Sequence, residues 1–431
     1  MKPIRTIRAE LSAHEYDDLL SRIYCRPAEQ LQPYHDRIGH VLDGYIEVFG
    51  QSEKTDAAVF SAPGRTEIGG NHTDHQRGRV LTGVVDLDAL ACAAYSEKDQ
   101  VRIFSEGYGL TCIDITDLAL REDEKNTTKA LIRGMLAAVA SRGYRTGGFD
   151  TFVTSDVPGG SGLSSSACFE VLIGTIVNRL FCDDAMEPAE IAKIGQYAEN
   201  TYFGKPSGLL DQMGCAIGGI AAIDFQDSTA PRYHSVDFNF AKAGYVLCII
   251  DTGADHADLT GDYAAVPVEM KAVAAFFGKE VLREVNEAVF YDNIPALRKD
   301  AGDRAVMRAI HYYADCRCVD QQVEALETGD FERFLELVDS SGYSSCMYLQ
   351  NVDTYRDPAN QPVAVALAMA RHYLKGRGAV RVHGGGFAGT IQAFVPLDMA
   401  EDFRRDMDSV LGTGSCRITC IRPVGGCTLV D

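Results

Sequence analysis

The chain has 431 residues, with 41 Lys and Arg against 61 Asp and Glu, for a formal net charge of −20. At roughly 100–200 residues per domain that length implies two or three domains. A hydrophobic fraction of 46% and a charged fraction of 24% exclude global disorder. The acidic balance excludes a nucleic-acid backbone or an anionic membrane as the main partner, because both would be repelled. A small anionic ligand remains compatible, provided that its positive surroundings are local.

The 13 cysteines are an odd and scattered set, several in apolar runs (Cys92, Cys168, Cys248). Without CxxC pairs, reduced and buried thiols are expected. Met1–Tyr24 mixes charge with Leu and Ile and has no continuous apolar stretch, so no secretory signal is expected. No run reaches the ~18 uncharged apolar residues of a membrane span. A cytoplasmic protein is expected.

In chain order, the first fifty-odd residues read as helices. One is capped by Ser12 and runs through Leu19 and Ile23; another spans Tyr34–Phe49. Short apolar runs at Ala58–Ala62, Arg79–Val85, Leu87–Tyr95 and Val101–Ser105 read as strands. Helices are predicted at Lys129–Ser141, Ser165–Leu180 and Pro188–Tyr202, with a strand at Asp150–Thr154. Ile220–Phe225 and Tyr245–Asp251 read as strands around a polar stretch, Gln226–Lys242, which is the best domain boundary. Beyond it, helical runs near Val266–Phe277, Ala305–Glu327, Phe331–Val338 and Pro362–Tyr373 precede strands at Ala379–His383, Thr390–Val395 and Arg417–Ile421. This pattern predicts an α+β fold of two mixed domains, 1–235 with a helical N-terminal extension (about 1–56) and 236–431.

Pro158-Gly-Gly-Ser-Gly-Leu-Ser-Ser-Ser-Ala167 follows a predicted strand and opens a predicted helix. Glycines let a backbone approach a ligand closely, and a helix start offers unpaired N–H groups with partial positive charge. Two readings stand: a phosphate cradle whose hydroxyls add hydrogen bonds or ligate Mg²⁺, or a Ser-capped helix after a turn. No GxxxxGK[ST] occurs. Gly64-Arg-Thr-Glu-Ile-Gly-Gly-Asn-His-Thr-Asp-His75 concentrates directional hydrogen-bonding groups, which suits a polyhydroxylated ligand. A His72/Asp74/His75 metal site and a solvated loop are the other readings. Val382-His-Gly-Gly-Gly-Phe-Ala-Gly389 matches GxGxxG literally, but a strand rather than a helix follows. A glycine hairpin is therefore preferred over a dinucleotide fold. Glu199 and, downstream, Asp211 in a glycine-punctuated segment could divide metal binding and proton acceptance, or serve only as caps.

Taken together and in this order, the segments resemble the GHMP small-molecule kinases, and within them the galactokinases. Gly64–His75 is similar to the sugar-recognition motif GR-x-N-x-IGEHTDY, and Pro158–Ala167 to the phosphate loop P-x-G-x-GLSSSA. Ala198-Glu-Asn200 through Asp211-Gln212 resembles the AEN…G…DQ segment, Gly384–Gly389 the late glycine motif, and Asp262-Tyr263 a further sugar-contacting element. The resemblance implies a two-domain GHMP kinase fold, with an N-terminal mixed-sheet domain, a ferredoxin-like C-terminal domain and the active site between them. It implies an ATP-dependent sugar 1-kinase, with galactose the first substrate to test. Asp211 is then the base at the anomeric hydroxyl and Arg65 holds the phosphoryl path. Asn71, His72, Asp74, Gly208 and Tyr263 line the sugar pocket. Pro158, Gly159, Gly160, Ser161, Gly162, Leu163, Ser164, Ser165 and Ser166 wrap the ATP phosphates, while Ser166 and Glu199 carry Mg²⁺. The implied partners are thus a monosaccharide and MgATP, with neither nucleic acid nor membrane.

Three positions depart from the family pattern: Asn71 replaces its Glu, Glu67 its Asn and His75 its Tyr. Losing that Glu bears on which sugar is preferred, so another hexose, an N-acetylhexosamine or a pentose stays open. A non-catalytic sugar sensor is the competing class, and the filled Asp211, Arg65, Ser166 and Glu199 positions argue for the enzyme. The N-terminal helices have three open placements: over the cleft, behind the sheet, or at an interface.

Overall fold

A computed structural model describes residues 1–159, 162–205, 207–253, 260–387 and 389–431. Strands β1 (Lys2–Pro3), β2 (Asp56–Gly69), β3 (Arg79–Tyr95), β4 (Gln100–Ser105), β5 (Gly109–Asp114), β6 (Phe149–Ser155), β7 (Ile220–Asp224) and β8 (Arg232–Val236) belong to the first sheet. Its main path runs β1-β2-β3-β6-β4-β5, while β7 pairs with the Arg79–Gly83 end of β3 and β8 pairs with β7. The second sheet has β9 (Tyr245–Asp251), β10 (Ala379–His383), β11 (Thr390–Pro396) and β12 (Cys416–Thr419) in the order β10-β11-β9-β12. The chain then returns to the first sheet, where β13 (Cys427–Val430) pairs with β2.

The central strands of the first sheet are apolar on both faces because both are covered. Ala58, Phe60, Ala91, Ala93 and Val153 face a core with helices Thr128–Ser141, Ser165–Phe181, Pro188–Tyr197 and Leu210–Ile217. Ala57, Val59, Leu90, Cys92, Ala94 and Phe152 pack instead against the N-terminal helices Ile4–Ser12, Asp17–Tyr24 and Gln32–Phe49. Of the three open placements, the N-terminal segment takes the one behind the sheet. Gly44 makes this possible: a Cβ there would lie 2.4 Å from the Phe152 ring. In the second sheet, Cys248, Ile250, Val380, Val382, Ile391 and Ala393 face helices Pro362–Leu374 and Ala400–Leu411. Leu247, Ile249 and Phe394 face Phe334 and Leu337 in the core shared with the first sheet.

Several elements differ from the sequence reading. Ser12 ends the first helix instead of capping the next, which starts at Asp17. Arg79–Val85 and Leu87–Tyr95 form one strand; the break between them is a register shift against β2, where Pro63 pairs with Asp88 but Arg65 with Val84. The motif Gly64–Gly69 is therefore bulged strand rather than loop, and bulges re-aim side chains beside active sites. Pro188–Tyr202 divides into an α-helix to Tyr197 and a π-helix at Ala198–Phe203. The polar stretch Gln226–Lys242 contains the edge strand β8. All 13 cysteines are free thiols; eight are buried, among them Cys92, Cys168 and Cys248, and two more are half-buried. Among the described residues no helix is long and apolar enough to cross a membrane.

Candidate active site

A cavity of about 470 Å³ lies where the first sheet, the start of helix Ser165–Phe181, the Gly384–Phe387 turn and helix Thr260–Phe276 meet. Its wall includes Arg65, Glu67, His72, Asp74 and His75 from β2 and the turn after it, and Gly162 with Ser164–Ser166 from the serine loop. Lys205, Ser207, Gly208 and Asp211 contribute from the segment after the π-helix, and Tyr263 and Gly384–Phe387 from the C-terminal half.

Asp211 lies in the first turn of helix Leu210–Ile217. Its Oδ1 accepts Arg65 Nε at 2.8 Å and Nη2 at 2.5 Å, and its Oδ2 accepts the Ser164 hydroxyl at 2.5 Å. Burial raises the Asp211 pKa, but the Arg65 charge and the bonds from Ser164 and Arg65 outweigh it and hold the carboxyl below its ordinary range. Arg65 is itself fixed, since its Nη1 donates to the Gly162 carbonyl and its backbone N–H to Leu163 O at 3.1 Å. One guanidinium thus joins the serine loop to the aspartate.

Ser164 precedes helix Ser165–Phe181 with φ +58°, and its hydroxyl makes no capping bond. That hydroxyl is turned to Asp211, so the helix start keeps N–H groups without a side-chain cap beside the cavity. Leu163 is buried in the core and anchors the loop, whereas Gly159 is exposed and neither it nor Pro158 lines the cavity. Gly160 and Ser161 lie outside the described residues.

Glu199, in the π-helix, accepts Lys205 Nζ at 2.8 Å, the Ser207 hydroxyl at 2.6 Å and Gln212 Nε2 at 2.9 Å. Ser166 Oγ stands 3.5 Å from its Oε1. Such π turns recur at functional sites. The fully buried Glu170 shares Gln212 with it; burial and then the Glu199 charge push the Glu170 carboxyl well above its ordinary range, and among the described residues its Oε1 has no hydrogen-bond partner. Ser166 and Glu199 offer a hydroxyl and a carboxylate oxygen, a hard-oxygen donor set that fits Mg²⁺.

At the other end, His72 Nε2 meets the Gly385 carbonyl at 2.9 Å, and its ring lies 5.1 Å from that of Tyr263. Burial, then the neighbouring His75, lowers the His72 pKa to about 3, so the ring is neutral and donates to Gly385. Gly208 admits Asp74, whose Oδ2 would lie 2.2 Å from a Cβ at that position. Asn71 is placed differently from the other expected sugar-pocket residues, below the wall. Its Nδ2 donates to Glu67 Oε1 at 2.8 Å and to Gly384 O at 2.6 Å, and its Oδ1 accepts Asn351 Nδ2 at 2.7 Å. The amide, shorter than a Glu, is wholly engaged inside the protein. Glu67 lines the cavity instead, paired with the buried Arg381 at 3.1 Å. Among the described residues His72, Asp74 and His75 do not converge as a metal-ligand set.

The structure therefore brings Arg65, Asp211, Gly162, Ser164–Ser166, His72, Asp74, Gly208 and Tyr263 to one cavity, with Glu199 behind Ser166. The sequence reading gave Lys205 and Ser207 no role, and offered Glu67 and His75 only as part of the motif Gly64–His75, outside the expected sugar pocket; all four line the cavity. Lys205 was legible, because it stands between Glu199 and Asp211 in a glycine-punctuated stretch of an otherwise acidic chain.

Residues 128–219 match the model of the GHMP kinases N-terminal domain, and residues 43–95 the galactokinase galactose-binding signature. The two-sheet α+β architecture is the GHMP kinase fold, and the chain is a phosphotransferase with an alcohol group as acceptor. Its similarity is to galactokinases. That of Lacticaseibacillus paracasei is 28% identical over 372 residues, covering 84% of this chain and 91% of the relative. That of Streptomyces coelicolor is 29% identical over 357 residues, covering 82% and 87%. The crystal structure of Lactococcus lactis galactokinase complexed with galactose superposes with a TM-score of 0.77 at 23% identity, over 90% of this chain and 99% of that one. A mevalonate kinase structure superposes with a TM-score of 0.57 at 15% identity, over 84% and 98%.

Proposed function

We propose that this enzyme is a cytoplasmic, ATP-dependent galactose 1-kinase, working in the cleft between an N-terminal domain (1–235) and a C-terminal domain (236–431). The observation that carries the reading is the Arg65 bridge, which bonds both Asp211 and the serine-loop carbonyl Gly162. A proton acceptor and an anion cradle thereby face one space large enough for a monosaccharide.

Phosphoryl transfer has a loose transition state, so catalysis is mostly alignment and neutralisation of charge. The uncapped N–H groups at Ser164–Ser166 with Gly162 receive the phosphates, while Arg65 and Lys205 provide positive charge within a chain of net charge −20. Ser166 and Glu199 would hold Mg²⁺, which when bound neutralises phosphate oxygens. His72, Asp74, Gly208 and Tyr263 position the sugar so that its anomeric hydroxyl meets Asp211. As the oxygen–phosphorus bond forms and ADP departs, the hydroxyl proton passes to Asp211. A carboxylate held at low pKa is a weak base, so this transfer comes late, when the hydroxyl has become acidic.

The test is a coupled ADP assay with MgATP across galactose, glucose, N-acetylgalactosamine and arabinose, followed by identification of the phosphorylated carbon. Galactose is expected to give the highest kcat/KM and a 1-phosphate. Asp211→Asn should lower kcat by at least about a thousandfold while nucleotide affinity changes little. Turnover in that variant near the wild-type rate would refute the role of Asp211, and preference for another sugar would refute the substrate.

A further inference from the structure

A second polar cavity, also about 470 Å³, opens in the N-terminal helical layer, and none of its lining residues belongs to the active-site cavity. His14 and His35 are on its wall. His14 stands in the connection between helices Ile4–Ser12 and Asp17–Tyr24, and His35 in the first turns of helix Gln32–Phe49. Between the two imidazoles lies the Asp17 carboxylate, one oxygen toward each ring. His14 Nδ1 is 3.1 Å from Oδ2, and His35 Nε2 is 2.7 Å from Oδ1. The three potential ligand atoms all lie within 4.8 Å of one another.

An ordinary ion pair does not account for this arrangement. His35 is 7% exposed, and its Nε2 and Asp17 Oδ1 are buried atoms that make no aligned hydrogen bond despite their short separation. Buried polar atoms are rarely left so. Asp17 Oδ1 and His35 Nε2 thus stand close without satisfying each other, while His14 Nδ1 hydrogen-bonds the other Asp17 oxygen at 3.1 Å. Two imidazole nitrogens and one carboxylate form the donor set of zinc and its first-row neighbours, whereas Mg²⁺ and Ca²⁺ select oxygen.

We propose that His14, Asp17 and His35 bind one late first-row divalent metal ion, for which Zn²⁺ is the probe, with a fourth position open to the cavity. The ligands come from two separate parts of the helical layer, so the ion would clamp the first two helices to the third. Binding and packing are then linked, and the folded state gains from the metal.

The test uses the full chain, kept reduced with a phosphine, in equilibrium dialysis against Zn²⁺ with elemental analysis. Thiols also take up zinc, so the quantity read is the difference between wild type and His14→Ala, whose side chain is 64% exposed and whose loss leaves the core packed. Wild type is expected to retain a single equivalent more than His14→Ala or Asp17→Asn. Micromolar Zn²⁺ should raise its thermal midpoint, with the shift lost in both variants, and Mg²⁺ at the same concentration should give none. Kinase turnover should be the same in wild type and His14→Ala. Equal zinc stoichiometry and an equal midpoint shift in wild type and variants would overturn the site.

Discussion

Two carboxylates of the active site are pushed in opposite directions, and that separates their roles. Asp211 stays ionised through the neutral range, because the Arg65 charge and the Ser164 and Arg65 bonds outweigh its burial. Glu67 is raised by burial to about 7, against the pull of Arg381 and Arg65. As pH falls through 7 Glu67 gains a proton and ceases to be a charged acceptor at the sugar end of the cavity. A charge-assisted hydrogen bond exceeds a neutral one by about 1 kcal/mol, or roughly fivefold in affinity. The sugar KM is therefore expected to rise by roughly that factor between about pH 8 and about pH 6, with kcat showing no acid limb from Asp211. Glu67→Gln should flatten the KM profile; an unchanged profile in that variant would assign the titration elsewhere. The linkage runs the other way for folding. The folded chain binds this proton more tightly than the unfolded one, so Glu67's contribution to stability falls as pH rises from the ordinary Glu range to about 7. These placements were only partly legible in sequence. Arg65, His72, Asp74 and Asp211 announce themselves by residue type and local pattern. The withdrawal of Asn71 does not, because its partners Asn351 and Gly384 arrive from some 280 and 313 residues away.

At the scale of elements, the N-terminal helices are held by a buried charge as well as by apolar packing. Asp88 of β3 is fully buried and receives Tyr24 Oη at 2.6 Å, Arg37 Nη1 at 2.8 Å, Ser61 Oγ at 2.5 Å and Arg422 Nη1 at 3.1 Å. One carboxylate thus collects the second and third helices, β2 and the segment leading to β13. Burial works against its ionisation, but Arg37 and Arg422 prevail and lower its pKa. Asp88→Asn leaves the fully buried Arg422 without the carboxylate it pairs with, while Arg37 keeps Asp156 at 3.0 Å. Removing one partner from such a set costs about 3–5 kcal/mol. Chemical denaturation of the variant at neutral pH should show a loss of that size, and a loss under about 1 kcal/mol would mean that water or Tyr24 compensates. Since the folded pKa is depressed, this stabilisation is present above the ordinary Asp range and disappears as pH falls through the lower folded value. The sequence located most elements here through periodicity: Tyr245–Asp251 and Ala379–His383 are the observed strands. It misread the places where an element is interrupted without a turn, as at the β2/β3 register shift, since a bulge leaves the apolar pattern of two short strands.

For the whole molecule, the division into two sheets does not make two independent folding units. Arg381 of β10, itself fully buried, donates to Ile68 O at 2.9 Å and pairs with Glu67, while Gln392 of β11 donates to Glu67 O at 2.7 Å and accepts the Thr66 hydroxyl at 3.0 Å. These bonds join β2 to both strands, and leaving them unpaired in a half-folded chain would cost the desolvation of several buried polar groups. Phe334, Leu337 and Phe394 share one apolar core with Phe60 and Ala91 of the first sheet. The chain end closes the circuit, with Leu429 and Val430 buried against the N-terminal helices. None of this was legible from the order of strands, because the polar stretch at Gln226–Lys242 looks like a linker and β13 is too short to betray its partner. The expected result is a single calorimetric transition for the full chain, with calorimetric and van't Hoff enthalpies in agreement. Truncation after Gly426 removes β13 with two buried apolar side chains, Leu429 and Val430, worth about 3–6 kcal/mol at 1.5–3 kcal/mol each. It should lower that one midpoint without splitting it, since the Arg381 and Gln392 bonds remain. Two resolved transitions in the full chain would mean that the polar seam between the sheets opens before either core does, and the cleft would then be the weakest part of the molecule.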